Sequence, residues 1–442
     1  MKTTSDNAQW LARSAGAVWH PCTQMKQHET LPPLPIARGR GVWLYDYDGR
    51  RYLDAVSSWW VNLFGHANPR INAALHEQLE TLEHVILAGC THAPVVELSE
   101  RLAALTDGRL GHCFYGSDGA SAVEIALKMS FHYWRNRGRT AKTGFISLSG
   151  SYHGETLGAL SVTDVALFKD TYAPLLRQSA QVPSPDWRLA ADGESPRDFA
   201  RRCAHALEAH LEQHHHETAA LIVEPLVQGA TGMAMHDAEY LRLASALCAR
   251  FEVHLIADEI MIGFGRSGTF FAHEQAGITP DFLCLSKGIT GGYLPLAAVM
   301  TTDTVYDAFY DDATARGFLH SHSYTGNALA CRAALATLDI FAADAVIETN
   351  RSKSAALTLA AAALAQHPRV RNFRNTGMIW AFEADTTDAT FAGHFHQAAL
   401  GRGVLLRPIG NTVYLMPPYI IDADEISFLL AATQGALEDC LT

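Results

Sequence analysis

The sequence predicts an α/β fold, with a large domain built on a mostly parallel central sheet flanked by helices and a smaller α+β domain formed by both termini. Short, fully apolar runs, typical of strands that are buried on both faces, occur repeatedly in the middle of the chain. Helical segments alternate with them, which is the pattern of βαβ units. The 442 residues, 48% of them hydrophobic, exceed one minimal core. We therefore expect two domains of unequal size.

The composition argues against several classes of partner. A net charge of −12 and an isoelectric point near 6.0 disfavour nucleic acid or an anionic membrane as the main partner. The eight cysteines are scattered without a Cys-x-x-Cys pair, the pattern of reduced thiols in a cytosolic enzyme. Neither a signal-peptide core nor an apolar run of about 18 residues is found. We expect a soluble, cytoplasmic protein.

The N-terminal segment is expected to begin without regular structure and then to form a β-hairpin. Residues 1 to about 30 are polar, and a proline-rich stretch follows at 31–35. The segment 41–54 carries aromatic and aliphatic residues on both sides of Asp48-Gly49, a pair favoured in tight hairpin turns. Asn68-Pro69 then predicts the start of a helix that continues to Leu82.

The middle of the chain, residues 57–343, is assigned to the large domain. Its predicted strands lie at 111–116, 145–149, 220–224, 254–258 and 282–286, and its predicted helices at 94–105, 122–133 and about 198–213. A stretch rich in Pro, Asp, Gly and Ser at 183–198 predicts a surface excursion.

The composition of the chain changes after residue 343. An alanine-rich helix is predicted at Ala355–Ala365, followed by short strands at Met378–Phe382 and Val413–Met416 and a closing helix. We assign residues 1–56 and 344–442 together to the small domain.

Two charged residues at the ends of apolar runs suggest the chemistry. Lys287 follows Phe282–Ser286 and precedes a glycine-rich turn, while Asp258 ends the run that begins at His254. Charged groups are rarely buried without a partner, although a rim lysine that covers apolar surface with its stem is the ordinary alternative. An amine, a carboxylate and a glycine-rich helix start are the parts that hold pyridoxal phosphate. Its aldehyde needs an amine and its pyridinium nitrogen needs a carboxylate.

Four other features each allow a functional and a structural interpretation. Ser117–Ser121 opens a helix and suits a phosphate, because the first helical turn leaves N–H groups free, or it is an ordinary capped turn. Tyr152 offers a flat face to an aromatic ring or packs on the core. Glu224 binds a cofactor oxygen or caps a loop. Arg407 holds a substrate carboxylate or forms a structural ion pair.

Two further patterns are weak. Gly263–Gly268 has the letters of a G-x-G-x-x-G dinucleotide site, but no helix start follows it, so a nicotinamide-dependent dehydrogenase is kept only as an alternative. His210 and His214 lie four residues apart among charged residues, which indicates a solvated helix face. No metal site is predicted.

Eight short motifs follow one another in order: Ser117–Ala120, Tyr152–Gly154, Glu224-Pro225, Asp258-Glu259, Gly263–Arg266, Ser286–Gly288, Gly291-Gly292 and Ser323–Asn327. This succession resembles the class-III, fold-type-I pyridoxal-phosphate aminotransferases across nearly the whole chain. Five more stretches are Trp19–Pro21, Ser57–Trp60, Thr91–Pro94, Leu406–Pro408 and Tyr414–Tyr419. These are similar to the biotin-synthesis members of the class, which aminate 8-amino-7-oxononanoate with S-adenosylmethionine as amino donor.

The resemblance implies a role for each matching position. Lys287 would be catalytic, forming a Schiff base with pyridoxal 5'-phosphate, while Asp258 would pair with the pyridine nitrogen and Tyr152 would stack on the ring. The implied cofactor-binding residues are Gly119, Ala120, Tyr152, Glu224, Asp258, Lys287 and Ser323. The implied substrate-binding residues are Trp59, Trp60, Arg407 and Tyr414, with Arg407 holding the carboxylate of the keto acid.

The resemblance also implies a homodimer, since Ser323 would reach the phosphate bound by the neighbouring subunit. In this chain Cys22 stands where a tyrosine is usual, Glu155 stands for aspartate, and His320–Ser323 replaces a Gly-Pro-Thr loop. An enzyme of the same fold that takes lysine or another ω-amine as donor therefore remains the alternative.

Overall fold

The structure, a computed structural model, describes residues 6–441, and the chain separates into two compact units. The smaller unit contains the residues up to Pro69, Ser354–Phe373 and those from Trp380 onward; the larger contains Arg70–Lys353 and Arg374–Ile379. These boundaries fall further along the chain than the predicted ones at 56/57 and 343/344.

The helical segments and strands are numbered along the chain. The helical segments are α1 (Asp6–Ala17), α2 (Ser57–Trp60), α3 (Pro69–Leu79), α4 (Ala93–Ala104), α5 (Gly119–Asn136), α6 (Leu157–Val162), α7 (Ala166–Lys169), α8 (Pro196–His214), α9 (Ala238–Arg250), α10 (Asp303–Asp307), α11 (Ala328–Ala343), α12 (Val346–Ala360), α13 (Ala362–Ala365), α14 (Phe391–Gly401) and α15 (Ala423–Leu441). The strands are β1 (Ile36–Arg40), β2 (Trp43–Asp46), β3 (Arg51–Asp54), β4 (His112–Gly116), β5 (Gly144–Leu148), β6 (Ala180–Val182), β7 (Thr218–Val223), β8 (Val227–Gln228), β9 (Ala234–Met235), β10 (His254–Asp258), β11 (Phe282–Leu285), β12 (Ala297–Thr301), β13 (Val370–Thr376), β14 (Ile379–Ala384), β15 (Val404–Leu405) and β16 (Thr412–Leu415).

The larger unit is built on a seven-stranded sheet in the order β4-β12-β11-β10-β7-β5-β6. The neighbours from β11 to β6 are parallel, whereas β12 is antiparallel to both β11 and β4. Every residue of β7, β10 and β11 is buried, as expected for strands covered on both faces. The predicted mostly parallel sheet with flanking helices is confirmed.

Helix α5 covers one face of this sheet. It begins after Asp118, whose Oδ1 accepts a hydrogen bond from the backbone N–H of Ser121 at 2.9 Å. Its buried face includes Val123 and Ile125, which belong to the same core cluster as Ile222 and Ile256 of the sheet. Burying one such side chain contributes about 1.5–3 kcal/mol. The packing fixes the N-terminus of α5 at the edge of the sheet.

A buried lysine joins loops at the opposite edge of the same sheet. Lys142 is 1% exposed, and its Nζ donates to the carbonyls of His215 at 2.7 Å, Thr218 at 3.0 Å and Glu252 at 2.7 Å. All three donors of the ammonium are therefore used on backbone acceptors that precede or begin β7 and β10.

Replacing Lys142 with methionine, which has a similar length and no donor, should destabilise the protein. Three acceptors would lose their partner, so we expect the free energy of unfolding to fall by about 3 kcal/mol. Urea denaturation at neutral pH measures it, and Lys26→Met, at an exposed lysine, is the control with a change near zero. Equal stability of the two variants would show that the three hydrogen bonds contribute nothing net.

The smaller unit contains a four-stranded sheet in the order β1-β2-β3-β15 and most of a three-stranded sheet in the order β13-β14-β16. The predicted hairpin is confirmed, because β2 and β3 pair antiparallel with Trp43 opposite Leu53. Gly49 lies in its turn with a φ of +86°, a conformation that favours glycine.

One prediction for the N-terminal segment is wrong. Residues 1 to about 30 were expected to be irregular, but Asp6–Ala17 forms α1; residues 1–5 lie outside the described part of the chain. None of the residues of α1 is buried, and its contacts include Trp10 stacked on Tyr47 with ring centroids 5.0 Å apart. Ala8, Leu11, Ala12 and Ala15 recur at helical spacing, so this periodicity was a signal for the helix that the polar composition of the segment obscured.

Three general properties of the described residues bear on function. No helix between residues 6 and 441 has the length and apolar character needed to cross a membrane. All eight cysteines are free thiols. In the same range, no cluster of three or more His, Cys, Asp or Glu side chains is arranged to hold a metal ion.

Candidate active site

Asp258 and Lys287 lie at the same edge of the central sheet. Asp258 ends β10 and pairs in register with Cys284 of the parallel strand β11, and Lys287 begins the short 3-10 helix Lys287–Thr290 that follows β11. Burial lowers the pKa of the Lys287 amine below its ordinary value, while the carboxylates of Asp258 and Glu224 act in the opposite direction. Lys287, Asp258 and Glu224 are therefore close enough for the two acidic groups to influence the protonation of the lysine.

The backbone of Lys287 is held in an unfavourable conformation. Its φ is +45°, in the left-handed region, which costs a residue other than glycine roughly 1–2 kcal/mol. Strain of this kind persists only where the surrounding structure imposes it, and it is concentrated at functional sites.

Asp258 is paired with a histidine that the sequence did not single out. The Oδ2 of Asp258 lies 2.7 Å from the Nδ1 of His153, and its Oδ1 accepts from the backbone N–H of Ile260 at 3.1 Å. A carboxylate oxygen can accept a second hydrogen bond, so a further donor can bind here. The Nε2 of His153 is buried and has no hydrogen-bond partner among the described residues. The only sequence signal for His153 was its position beside Tyr152.

Glu224 follows β7 and binds two backbone groups. Its Oε2 accepts from the N–H of Tyr152 and its Oε1 from the N–H of Gly229, both at 3.0 Å. Burial raises the pKa of Glu224 to about 7. The carboxyl group thus caps the loop that carries Tyr152, one of the two interpretations offered by the sequence. Direct contact of Glu224 with a cofactor stays a prediction.

Tyr152 is positioned by contacts of its hydroxyl, its ring and its backbone N–H. Its hydroxyl donates to Oε1 of Glu155 at 2.8 Å, and its ring meets that of Phe168 edge-on with centroids 5.4 Å apart. Glu155, one of the departures from the family pattern, therefore anchors the tyrosine hydroxyl. Stacking of Tyr152 on a cofactor ring stays a prediction.

The first turn of α5 is closely contacted from two sides. A Cβ on Gly154, whose φ is +119°, would lie 2.6 Å from the Cβ of Ala120, and a Cβ on Gly119 would lie 2.9 Å from Cγ2 of Ile260. Both glycines are therefore needed for the close approach. The Tyr152 loop and the chain that follows Asp258 are brought against the helix N-terminus.

These parts fit pyridoxal phosphate. Lys287 supplies an amine and Asp258 a carboxylate with capacity for a further donor, while the N-terminal N–H groups and the dipole of the 18-residue α5 suit a phosphate. The Nε2 of His153, next to Asp258, has no hydrogen-bond partner within residues 6–441 and is available to a bound group.

Ser323 belongs to the segment between α10 and α11. Its carbonyl accepts a hydrogen bond from Nε2 of His84 at 2.8 Å, and the residue is exposed. Its contact with the phosphate of a neighbouring subunit stays a prediction.

In the smaller unit, Trp59 and Trp60 lie in a left-handed turn. The four residues of α2 all have positive φ, with Ser57 at 49°, Ser58 at 47°, Trp59 at 69° and Trp60 at 73°. Each such residue costs roughly 1–2 kcal/mol relative to the right-handed form, so specific contacts must impose the turn.

A buried aspartate supplies those contacts. Asp54 is fully buried; its Oδ1 accepts from the N–H of Ser58 at 2.9 Å and its Oδ2 from the Ser58 hydroxyl at 2.7 Å. The hydroxyl of Ser57 donates to the carbonyl of Met416 at 2.7 Å. The two hydrogen bonds to the Asp54 carboxylate are charge-assisted, and such bonds are about twice as strong as neutral ones.

The smaller unit brings its four predicted substrate residues together. The guanidinium of Arg407 lies 5.0 Å from the ring centroid of Trp59, which is 43% exposed, and the rings of Trp60 and Tyr414 meet edge-on at 6.2 Å. Burial raises the pKa of Tyr414 to about 12, so its phenol stays protonated at neutral pH. Their contact with a substrate stays a prediction.

Comparison with known proteins gives consistent results over nearly the whole chain. Residues 24–437 match the family model of the class-III aminotransferases. The chain is similar to the adenosylmethionine-8-amino-7-oxononanoate aminotransferase of Helicobacter pylori, with 47% identity over 431 residues that cover 96% of each protein. It is 41% identical to the enzyme of the same name from Geobacter sulfurreducens, over 95% of each chain.

A solved structure provides the same comparison in three dimensions. The chain superimposes on the crystal structure of adenosylmethionine-8-amino-7-oxononanoate aminotransferase from Methanocaldococcus jannaschii with a TM-score of 0.92 and 35% identity, covering 99% of this chain and 100% of that one. The chain therefore belongs to the class-III aminotransferases, a family of enzymes that use pyridoxal phosphate.

Proposed function

We propose that this enzyme transfers an amino group from S-adenosylmethionine to the ketone of 8-amino-7-oxononanoate and so forms 7,8-diaminononanoate in biotin synthesis. The observation that carries the proposal is the 47% identity, over almost the full length, to a relative whose name states this donor and acceptor. Asp258 and Lys287, which lie at one edge of the sheet and interact electrostatically, support the chemistry.

The reaction is proposed to run as two half-reactions, with one substrate leaving before the other binds. When bound, the cofactor would supply an aldehyde carbon to carry the amino group and a ring to withdraw electrons from the reacting carbon. Atoms balance because the donor amine becomes a ketone while the acceptor ketone becomes an amine.

Lys287 is the proposed general base and acid. Its Nζ would remove a proton from the carbon that bears the donor amine and would deliver it to the cofactor carbon that receives the amino group. Because burial lowers its pKa, a larger fraction of the amine is neutral near physiological pH than for an ordinary lysine.

Asp258 is proposed to hold a proton on the ring nitrogen. Its carboxylate is 5% exposed and is oriented by His153 and by the N–H of Ile260. A fixed negative charge in a dry environment favours the protonated ring far more than the same charge in water.

The substrate groups are proposed to be held by the smaller unit. Arg407 offers a planar fork of donors to a carboxylate, already supported on Trp59. Trp60 and Tyr414 supply apolar and aromatic surface for an aliphatic chain, with a protonated phenol as a polar contact.

A homodimer and a cytoplasmic location are part of the proposal. The exposed apolar side chains Leu319 and Tyr324, which are 80% and 65% exposed and flank Ser323, support a subunit contact at this loop. The eight free thiols are consistent with a reducing compartment.

A second candidate is an aminotransferase of the same fold that takes lysine or another ω-amine as donor. Solved structures of an amine transaminase from an uncultivated Pseudomonas species and of an omega-transaminase from Thermomicrobium roseum match this chain with TM-scores of 0.91 and 0.94. Their identity is lower, at 33% and 31%, so the first candidate is preferred.

The deciding experiment supplies 8-amino-7-oxononanoate with one donor at a time and quantifies 7,8-diaminononanoate by mass spectrometry. We expect product with S-adenosylmethionine and at most a few per cent of that rate with lysine or a simple ω-amine. Faster product formation with lysine would select the second candidate, and no product with any donor would reject both.

A further inference from the structure

Four polar side chains of the larger unit form a continuous hydrogen-bonded chain. The Nζ of Lys128 lies 2.8 Å from Nδ1 of His320, whose Nε2 lies 3.3 Å from Nε2 of His322. The Nδ1 of His322 in turn lies 3.3 Å from the hydroxyl of Ser117. We call these four residues the relay. It begins at Lys128, on the exposed face of α5, and ends at Ser117, two positions before that helix.

The two histidines of the relay are held in place by their surroundings. The ring of His320 stacks on Phe318, with centroids 5.7 Å apart and planes at 29°. The backbone N–H of His322 donates to Oγ1 of Thr325 at 3.0 Å, and the carbonyl of the next residue, Ser323, accepts from His84. The loop that carries His320 and His322 is therefore held by contacts outside the relay.

The lysine at one end determines where each proton of the relay lies. An ammonium group only donates, so Nδ1 of His320 must accept from Lys128. Burial, together with the positive charge of Lys128, lowers the pKa of His320, with Glu124 acting in the opposite direction, so its ring is neutral. A neutral ring that accepts at Nδ1 carries its proton on Nε2.

The same reasoning continues to the other end. His320 donates from Nε2 to Nε2 of His322. Because that nitrogen of His322 accepts, the ring proton of His322 lies on Nδ1 and is donated to the oxygen of Ser117. The serine hydroxyl is then an acceptor within the relay, and its own hydrogen is left to point at another acceptor.

The position of Ser117 identifies that acceptor. Ser117 directly precedes Asp118, which caps α5, and the helix begins at Gly119. An anion bound at the first turn of α5 would therefore lie beside this hydroxyl, and a hydrogen bond to a charged acceptor is stronger than one between neutral groups.

We propose that Lys128 is a positioning residue which, through His320 and His322, orients the hydroxyl of Ser117 as a donor to the cofactor phosphate. The inference rests on the proposed function, because it takes pyridoxal phosphate as the bound group. Lys128 acts here through the relay and not by direct attraction between its charge and the phosphate.

A double-mutant cycle tests the relay. The holoenzyme and its variants are diluted at a series of pyridoxal-phosphate concentrations, and the dissociation constant is taken from the fraction of bound cofactor. We expect Lys128→Met and Ser117→Ala each to raise the dissociation constant about tenfold, and the double variant to raise it about tenfold as well.

Two controls make the cycle specific. Lys128→Arg keeps a permanent donor and should bind the cofactor as the unaltered protein does. Pyridoxal, which lacks the phosphate, should bind all variants equally. A double variant about a hundredfold weaker, or unchanged affinity in Lys128→Met, would overturn the relay. Because Lys128 is exposed, its substitution is not expected to impair folding.

The proton positions provide a readout that needs no cofactor. Nitrogen-15 spectra of labelled histidine, assigned with His320→Gln and His322→Gln, should report a proton on Nε2 of His320 and on Nδ1 of His322. The opposite tautomers would overturn the relay. A protein with these tautomers that fails to bind pyridoxal phosphate at all would instead reject the proposed function.

Discussion

Lys287→Ala is expected to lower turnover by about 10⁴-fold or more. General acid–base catalysis alone contributes about 10²–10⁴-fold, and this variant also removes the amine that bonds to the aldehyde. The variant should fold, because alanine has a Cβ like lysine and meets the same backbone strain at a φ of +45°. Single-turnover amination, with circular dichroism as the test of folding, measures both effects.

Lys287→Arg separates charge from proton transfer. Arginine keeps a cation beside Asp258 but does not release its proton in proteins, so we expect it to be as inactive as the alanine variant. Borohydride reduction of the unaltered holoenzyme, followed by peptide mapping, should place the cofactor label on Lys287. Turnover that survives in both variants would exclude Lys287 as the proton carrier.

The central sheet could be predicted because its strands are recognisable without tertiary information. The strands β7, β10 and β11 are fully buried and consist largely of apolar residues, the composition of parallel strands that are covered on both faces. Their order in the sheet also brings Asp258 and Lys287 to one edge, as predicted. This part of the site follows from local sequence and topology.

The left-handed turn at Ser57–Trp60 could not be predicted from its own residues. Serine and tryptophan rarely adopt positive φ, and the turn depends on Asp54 and on the carbonyl of Met416, which is 359 residues away from Ser57 in sequence. The sequence therefore identified the tryptophans but not the backbone that presents them.

The partners of predicted residues were missed for a similar reason. His153 contacts Asp258, which lies 105 positions later, and Lys128 contacts His320 across 192 positions. Side-chain pairs at such separations depend on which strand ends and loops meet, and no local pattern encodes that. His320 and His322 were noticed only because they depart from the family's usual loop.

Asp258→Asn is expected to lower turnover by about 10²–10³-fold, comparable to the loss of one preorganised electrostatic contact to a reacting group. The amide keeps the size of the carboxylate but has no charge to stabilise a proton on the ring nitrogen. It also removes the negative charge that raises the pKa of Lys287, so the lysine pKa should fall further. Steady-state rates across a pH series measure both consequences.

Asp281→Asn is the matched control for that variant. Asp281 directly precedes β11 and accepts from the N–H of Leu255 at 2.7 Å, at the opposite end of the strands that carry Asp258 and Lys287. Burial raises its pKa to about 6, so both substitutions remove a carboxyl group that is shielded from water. Turnover should fall in Asp258→Asn and stay within about twofold in Asp281→Asn, since only the first group can reach the ring. Equal losses would mean that the rate depends on the sheet's stability, and the assignment of Asp258 to the ring nitrogen would be withdrawn.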